Sequence, residues 1–235
     1  MKRAADAAPG VSGLGNDIVD LSHPQNRASA RRSAYVERVL SPREREAQRI
    51  APDPERCLWA FWAAKEAWHK ARSGFGSRVP FHPRSLCVLQ RFGVPETVAF
   101  ECDTPVVCTA DDGVSCRWAF KGDAIHCVVV PPDLEWCADV CTLGPSEAID
   151  VPASVARASM HTLVDRLADT LGLAHPHRGY RSPRSRLERP RLRTDGATPQ
   201  STSLSLSHDG RFIAAAVGRV CERSASGHHT GEPDK

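Results

Sequence analysis

The sequence predicts an α+β protein built from two similar lobes. Two segments are predicted as long helices, 55–72 and 152–173, and short runs rich in β-forming residues follow each of them, at 85–130 and 202–220. Each half of the chain therefore combines a long helix with a small set of strands. A chain of 235 residues is long enough to bury a core in each of two lobes of roughly 100 residues.

The first lobe begins with a strand and a helix. The run "GLGNDIVDL" at 13–21 is short and apolar and is opened by glycines, which predicts a strand that ends in a loop near Asp20. Residues 26–40 have helical character.

Two further helices are expected in this lobe. The segment at 41–50 begins Ser-Pro-Arg-Glu, so Ser41 can serve as the N-cap, proline takes the first helical position, and Glu44 completes a capping box. The helix at 55–72 is followed by two glycines, Gly74 and Gly76, which would end it.

Residues 85–130 are interpreted as a series of short strands. The runs "SLCVLQRF", "ETVAFECD", "PVVCTA", "VSCRWAF" and "AIHCVVV" are rich in β-forming residues and are separated by glycine-containing turns. The next segment, "PPDLEWCADVCTLGPSE", is expected to be a connector, and its pattern does not define a secondary structure.

The second lobe is predicted from a helix and a hairpin. The segment "TSLSLSHDGRFIAAAVGRV" at 202–220 indicates two strands joined by a tight turn at His208, Asp209 and Gly210. The apolar residues of the preceding helix form a helical stripe: Val155, Met160, Leu163, Val164, Leu167 and Leu171. These boundaries divide the chain into a disordered tail at 1–11, a first lobe at 12–135, a connector at 136–151, a second lobe at 152–221 and a disordered tail at 222–235.

Composition excludes several classes of protein. A net charge of only +3 argues against a general polyanion binder, and no run of about 18 apolar residues could span a membrane. The first residues lack the apolar stretch of a signal peptide. The nine cysteines form no CxxC pair, which favours reduced thiols in a cytoplasmic protein, and no clustered ligands accompany Cys137 and Cys141 to hold zinc.

The stretch "WAFWAAKEAWHK" at 59–70 places charges inside an apolar helix. Trp59, Trp62, Glu66 and Lys70 are spaced three and four apart, so they lie on or near one helix face. A partly desolvated carboxylate must pair with a cation or bind one. The two alternatives at this point are a Glu66–Lys70 pair on a half-exposed helix and a cation-binding carboxylate.

A second carboxylate lies inside the first strand. Asp17, in "GNDIVDL", could cap a turn, or it could face Glu66 and make an oxygen site for Mg²⁺, which prefers one or two carboxylates with water and substrate phosphates. Ser207 and His208, in "SLSHDG", lie where a strand meets a turn, and either could bind a phosphate. Together these groups suit phosphoryl transfer, which depends on positioning and electrostatics.

These segments resemble the 4′-phosphopantetheinyl transferase superfamily. The resemblance rests on "GNDIVDL", "ERVLSPRERE", "WAAKEAWHK" and "SLSHDGRFIAAAV", with Asp17 and Glu66 49 residues apart. It implies transfer of phosphopantetheine from coenzyme A to a serine of an acyl or peptidyl carrier protein, with Mg²⁺ as the cofactor and coenzyme A as co-substrate. The alternative is a catalytically inactive relative that binds coenzyme A or a carrier protein without transfer.

The resemblance also implies roles for individual residues. Asp17 and Glu66 would hold Mg²⁺, and Lys70 would act with them in catalysis. Phosphates and the nucleotide of coenzyme A would be contacted by Lys65, Lys70, Arg189, Ser207 and His208. Val19 stands where larger relatives often have a further glutamate, so two protein carboxylates are expected on the metal.

The order of the motifs predicts a fused pseudodimer. In single-lobe relatives the G-x-D and K-E-A motifs of one subunit meet the S-H motif of the next in a trimer, and in two-lobe relatives the S-H lobe comes first. Here S-H follows K-E-A by about 140 residues. We therefore expect a monomer with one site between its lobes; the alternative is a single lobe with a β insertion that forms a homotrimer.

A nucleic-acid-binding function is disfavoured. Seven arginines and one acid lie between residues 177 and 194, a composition that suits phosphates or an acidic protein surface. No nucleic-acid recognition fold accompanies them, and few aromatic residues lie nearby. The expected partners are therefore coenzyme A and a carrier protein, with neither nucleic acid nor a membrane.

Overall fold

The structure, a computed structural model, describes residues 13–72, 80–95, 100, 105–144, 151–173, 180–181, 190–192 and 202–220. The tails predicted at 1–11 and 222–235, the helix-ending glycines 74 and 76, and most of the arginine-rich segment lie outside the described residues. Within the described part of the chain, no helix combines the length and the apolar character needed to cross a bilayer.

The first unit, which ends at residue 130, packs helices on one face of an antiparallel sheet. The elements are β1 (Gly15–Asp20), α1 (Ser33–Val39), α2 (Pro42–Ile50), α3 (Pro54–Arg72), α4 (Val88–Phe92), β2 (Val106–Thr109), β3 (Ser115–Lys121) and β4 (Ala124–Val130). Short 3₁₀ turns lie at Ser29–Arg31 and Pro83–Ser85. The strand order in the sheet is β1-β4-β3-β2.

The second unit, from residue 134 onward, is smaller and has one long helix. The elements are β5 (Leu134–Thr142), α5 (Ala153–Thr170), β6 (Tyr180–Arg181), β7 (Arg191–Leu192), β8 (Thr202–Asp209) and β9 (Phe212–Val220). The main sheet has the order β5-β9-β8, and β6 pairs with β7 in a separate two-stranded ribbon.

Gly15 lets β1 lie directly on α3. A Cβ atom at this position would be 2.1 Å from the Ala67 carbonyl oxygen and 2.6 Å from the Ala71 nitrogen, and both are backbone atoms that cannot move aside. Only glycine therefore permits this approach. Since side chains on one face of a strand recur every second residue, the approach also brings Asp17 against α3.

The two units share one topology. In each, a strand is followed by a long helix and a hairpin, and the first strand pairs antiparallel with the last. By register, Asp17 lies opposite Cys127 and Asp139 lies opposite Ala215, three residues into β4 and β9 respectively. The two aspartates thus occupy equivalent positions. The α+β class is confirmed, and the shared topology supports the interpretation as a pseudodimer.

Side chains from β8 close the free edge of β1. Alternate backbone N–H groups of β1, together with that of Leu14 just before it, donate to side-chain oxygens of β8. The donors are Leu14, Asn16, Ile18 and Asp20, and the acceptors, in the same order, are Ser203, Ser205, Ser207 and Asp209, at 3.0, 2.9, 3.2 and 2.8 Å. This serine ladder, the set of four β8 side chains, joins the units and satisfies an otherwise unpaired strand edge.

Apolar side chains fill the space between the two sheets. Leu14, which precedes β1, and Ile18 of β1 pack with β4 and with the small residues of β9, in two clusters that include Ala214 and Ala216. His126 and Asn16 are buried at the same interface, with Asn16 Nδ2 3.3 Å from His126 Nε2.

Three predicted elements are corrected. The run "SLCVLQRF" forms a 3₁₀ turn and α4 rather than a strand, because its buried residues have helical spacing and Gly93 at φ +61° caps the helix. Residues 136–142, predicted in the connector, lie in β5, which pairs along its whole length with β9. The predicted helix at 26–40 is limited to the 3₁₀ turn and α1.

Candidate active site

A cavity of about 470 Å³ lies where β1 and α3 of the first unit meet β8 of the second. Five of the predicted site residues line it: Asp17, Glu66, Lys70, Ser207 and His208. The fold thus brings together motifs that lie at opposite ends of the sequence. Lys65 does not line this cavity, and Arg189 lies outside the described residues.

Asp17 is held by two donors from different units. It is 7% exposed, and its Oδ1 accepts hydrogen bonds from Lys70 Nζ at 2.7 Å and from Ser207 Oγ at 2.8 Å. Lys70 Nζ also donates to the Asn16 carbonyl oxygen at 2.9 Å and lies 3.3 Å from Ser207 Oγ. The Asp17 carboxylate is therefore fixed by an ammonium group of α3 and a hydroxyl group of β8.

Glu66 lies one helical turn before Lys70 and faces the same cavity. Its pKa is raised to about 7, chiefly by burial and also by the negative charge of Asp17, while the positive charge of Lys70 opposes this shift. The two carboxylates therefore repel each other across a partly desolvated space. Such a pair is stabilised by a proton or by a cation placed between them.

These two carboxylates are suitable ligands for a magnesium ion. Among the described residues there is no group of three or more His, Cys, Asp or Glu side chains that could hold a metal. Two carboxylates beside an open cavity are nevertheless enough for Mg²⁺, which keeps several waters and takes further oxygens from substrate phosphates. The donor set of Asp17 and Glu66 fits that ion.

An aromatic wall, formed by Tyr35, Trp59 and Trp62, bounds the cavity beside these charges. The ring centroids are 5.9 to 6.3 Å apart, and burial raises the pKa of Tyr35 to about 12. Trp59 Nε1 donates to the Asn26 carbonyl oxygen at 3.0 Å, which ties the wall to the loop after β1. Tyr35 was not predicted as a site residue, since its segment shows only an ordinary helical pattern.

Asp209 closes one end of the cavity and was also not predicted as a site residue. Its Oδ2 accepts hydrogen bonds from the Asp20 backbone N–H at 2.8 Å and from Asn26 Nδ2 at 2.7 Å. The next residue, Gly210, has φ +52°, and a Cβ there would lie 2.5 Å from Asp20 Oδ2. The glycine of "SHDG" thus permits the hairpin to reach the first unit.

Lys65 occupies a different environment from its neighbour Glu66. Its side chain is fully buried, and Nζ donates to Glu44 Oε2 at 2.8 Å, to the Pro83 carbonyl oxygen at 2.8 Å and to the Leu86 carbonyl oxygen. Glu44 in turn accepts the Val88 N–H at 2.7 Å. The expected contact of Lys65 with coenzyme A phosphates disagrees with this placement, because the ammonium group is sealed inside the first unit.

Comparisons with known proteins agree with the motifs. Residues 13–125 match the family model of the 4′-phosphopantetheinyl transferase superfamily. A holo-[acyl-carrier-protein] synthase of Azoarcus sp. (strain BH72) is 40% identical over 70 residues, which are 30% of this chain and 55% of that protein. The chain therefore spans about half the length of this curated relative.

The chain also has a weak likeness to a solved structure. A crystal structure of holo-[acyl-carrier-protein] synthase from Neisseria meningitidis aligns with 90% of this chain and 100% of its own, at 16% identity and a TM-score of 0.29, which is too low to support an argument. The likeness to known proteins therefore lies in the sequence. Residues 13–125, just under half of the chain, are similar to the 4′-phosphopantetheinyl transferase superfamily.

Proposed function

We propose that this protein transfers the 4′-phosphopantetheine group of coenzyme A to a serine of an acyl or peptidyl carrier protein, with Mg²⁺ as cofactor. The observation that carries the proposal is the meeting of Asp17, Glu66, Lys70 and His208 around one cavity between the units. The match of residues 13–125 to the superfamily supports the same reaction.

The reaction joins the carrier serine to the β-phosphorus of coenzyme A. The serine oxygen forms a bond to that phosphorus, the bond from phosphorus to the bridging oxygen breaks, and 3′,5′-ADP leaves with that oxygen. Little covalent chemistry is required of the protein, so its contribution is positioning and charge stabilisation. A cavity lined by fixed charges and a rigid aromatic wall is suited to that task.

Each cavity residue has a distinct part in this proposal. Asp17 and Glu66 would hold the Mg²⁺ ion, which when bound neutralises pyrophosphate charge. Lys70, about a third exposed, adds a positive charge beside them. The exposed His208 stands at the cavity where it can contact a phosphate. Because the pKa of Glu66 is raised to about 7 and this residue lines the same cavity, we assign Glu66 as the carboxylate that accepts the serine proton.

A basic surface beside the cavity supports an acidic carrier protein as the partner. Four arginines near Asn26 and Tyr35 are exposed: Arg27, Arg31, Arg32 and Arg38. The Arg38 guanidinium lies 5.4 Å from the centroid of the Tyr35 ring, so this surface reaches the aromatic wall. Positive charge at the mouth of a site attracts an acidic partner and accelerates its association.

The test is the intact mass of an apo carrier protein after incubation with this protein, coenzyme A and Mg²⁺, with and without EDTA. We expect a mass gain of one phosphopantetheine that EDTA abolishes. A gain that persists in EDTA would contradict the metal requirement. No gain with several carrier proteins, together with measurable coenzyme A binding, would favour the inactive relative that only binds its ligands.

The quaternary state and the location in the cell are separate predictions. We expect a monomer, because this chain's own β8 occupies the free edge of β1. Light scattering that gives three times the chain mass of 25.6 kDa would contradict it. The cytoplasmic location stays a prediction from the cysteine pattern.

A further inference from the structure

Ser207 differs from the other serines of the ladder in its contacts. Ser203 accepts the backbone N–H group of Leu14, and Ser205 accepts that of Asn16. Ser207 also accepts a backbone N–H group, that of Ile18 at 3.2 Å. In addition, its hydroxyl donates a hydrogen bond to Asp17 Oδ1 at 2.8 Å. It is buried, with 9% of its surface exposed.

The hydroxyl of Ser207 has no capacity left for a ligand. A serine hydroxyl has one hydrogen and two acceptor positions. The hydrogen goes to Asp17, and the acceptor positions face the Ile18 N–H and Lys70 Nζ, the latter at 3.3 Å. A phosphate oxygen needs a donor, and this hydroxyl already donates to a carboxylate. The geometry therefore argues against a nucleotide contact through this side chain.

We propose that Ser207 is a positioning residue, which orients the Asp17 carboxylate for a divalent cation. The inference rests on the proposed function, in which Asp17 is a metal ligand. Ser207 and Lys70 both bind Oδ1, and no described residue donates to Oδ2. The carboxylate is thus fixed at one oxygen and leaves the other for the cation. Hydrogen bonds to a ligating carboxylate orient it and affect metal affinity.

This assignment gives the second unit a role in the metal site of the first. Asp17 and Glu66 both belong to the first unit. Among the described residues of the second unit, Asp209 is the carboxylate that lines the same cavity. Its Oδ2 already accepts hydrogen bonds from the Asp20 N–H and from Asn26 Nδ2. Ser207 connects β8 to the Asp17 ligand. The metal site is therefore fully ordered only when the ladder is formed.

The test compares two serine variants of the full chain. Ser207→Ala removes the bond to Asp17, and Ser205→Ala, the matched control, removes a ladder bond of 2.9 Å to Asn16 from a serine that is also buried. Mn²⁺ affinity is measured by electron paramagnetic resonance without coenzyme A or carrier protein. We expect Ser207→Ala to weaken Mn²⁺ binding about tenfold, Ser205→Ala to change it less than twofold, and Ser207→Thr, which keeps the hydroxyl, to restore it.

Several outcomes would overturn the proposal. If Ser207→Ala leaves Mn²⁺ affinity unchanged and weakens coenzyme A binding, the Ser207 hydroxyl contacts the nucleotide and does not position Asp17. An equal loss in Ser205→Ala would show that any ladder bond has this effect. A wild-type protein that binds no Mn²⁺ would also reject the positioning role. Should Ser207→Ala not fold, Ser207→Cys, with a weakly donating thiol of similar size, replaces it.

The metal titration separates this inference from the proposed transfer reaction. If Ser207→Ala weakens Mn²⁺ binding but the wild-type protein never modifies a carrier protein, the positioning role stands and the proposed function is wrong. If the wild-type protein transfers phosphopantetheine and Ser207→Ala binds Mn²⁺ with wild-type affinity, the proposed function stands and the positioning role is wrong.

Discussion

Asp17 and Ser207 are 190 positions apart in the chain, and a hydrogen bond of 2.8 Å joins their side chains between the two units. Two packing contacts bring these side chains together. Gly15 allows β1 to pack directly on α3, and the serine ladder holds β8 along the edge of β1 that does not pair with β4. The site is therefore a product of two packing contacts, and each can be tested by substitution.

Replacing Glu66 by Gln should abolish transfer without unfolding the protein. The amide keeps the shape of the side chain but removes a charge that burial and Asp17 both disfavour. We expect carrier-protein modification to fall at least a hundredfold and the melting temperature at pH 8 to stay equal or rise. Glu46→Gln, on the exposed face of α2, is the control. Retained activity in Glu66→Gln would contradict the site.

Replacing Lys65 by Met should affect stability and not substrate binding. Glu44 would then be buried without its cationic partner, and breaking a buried pair in this way costs about 3–5 kcal/mol. We expect that loss in chemical denaturation, and an unchanged KM for coenzyme A at temperatures where the variant is folded. A raised KM with normal stability would instead support the phosphate contact implied by the family resemblance.

Replacing Gly15 by Ala should displace β1 from α3. The added carbon meets backbone atoms of α3, so overpacking of about 1–3 kcal/mol is expected, with reduced Mn²⁺ affinity because Asp17 moves away from Glu66. Gly218→Ala is the matched control, since its nearest contact at 2.8 Å is the flexible side chain of Leu14. Equal melting temperatures in the two variants would contradict this account.

His126 should make stability depend on pH. Burial lowers its pKa in the folded protein to about 4, below the ordinary value of 6.5. The unfolded chain therefore binds a proton first as the pH falls, and stability is lost between about pH 6.5 and 4, by up to roughly 3 kcal/mol.

Comparison with a variant isolates this effect from other titrating groups. The raised pKa of Glu66 acts in the opposite direction, because its contribution is present at low pH and is lost as the pH rises towards 7. The quantity to measure is thus the difference in unfolding free energy between wild type and His126→Gln. We expect this difference, wild type minus variant, to decrease from pH 7.5 to 5. A constant difference would show that His126 is not held neutral.

Local patterns in the sequence were sufficient for several elements. The capping box of Ser41 and Glu44 is confirmed, as is the hairpin with its turn near Gly210. Both depend on residues close in sequence, where turn and capping chemistry act directly. The strand β5 was missed because it mixes half-buried and exposed residues and carries charges, so its alternation is weak.

Other features could not be found from local pattern. Consecutive residues of a helix point about 100° apart, so Lys65 and Glu66 face different directions. Their adjacency in the K-E-A motif suggested a shared site, but only Glu66 of the two lines the cavity. The serines of β8 alternate with leucines, which looks like a strand with one face in solvent. Only the packing of the two units shows that Ser207 faces Asp17 instead.

The equivalent positions of Asp17 and Asp139 bear on the history of this chain. Asp139 is paired with Arg166 of α5 at 2.5 Å, as Asp17 is paired with Lys70 of α3, but the second pair is largely exposed. Ala119, two residues before the end of its hairpin strand, stands where the other unit has Ser207. Duplication of one ancestral unit would give two such clefts. In the present chain the two units differ at these positions, so that the first contributes Asp17 and Lys70 to the cavity and the second contributes Ser207 and His208.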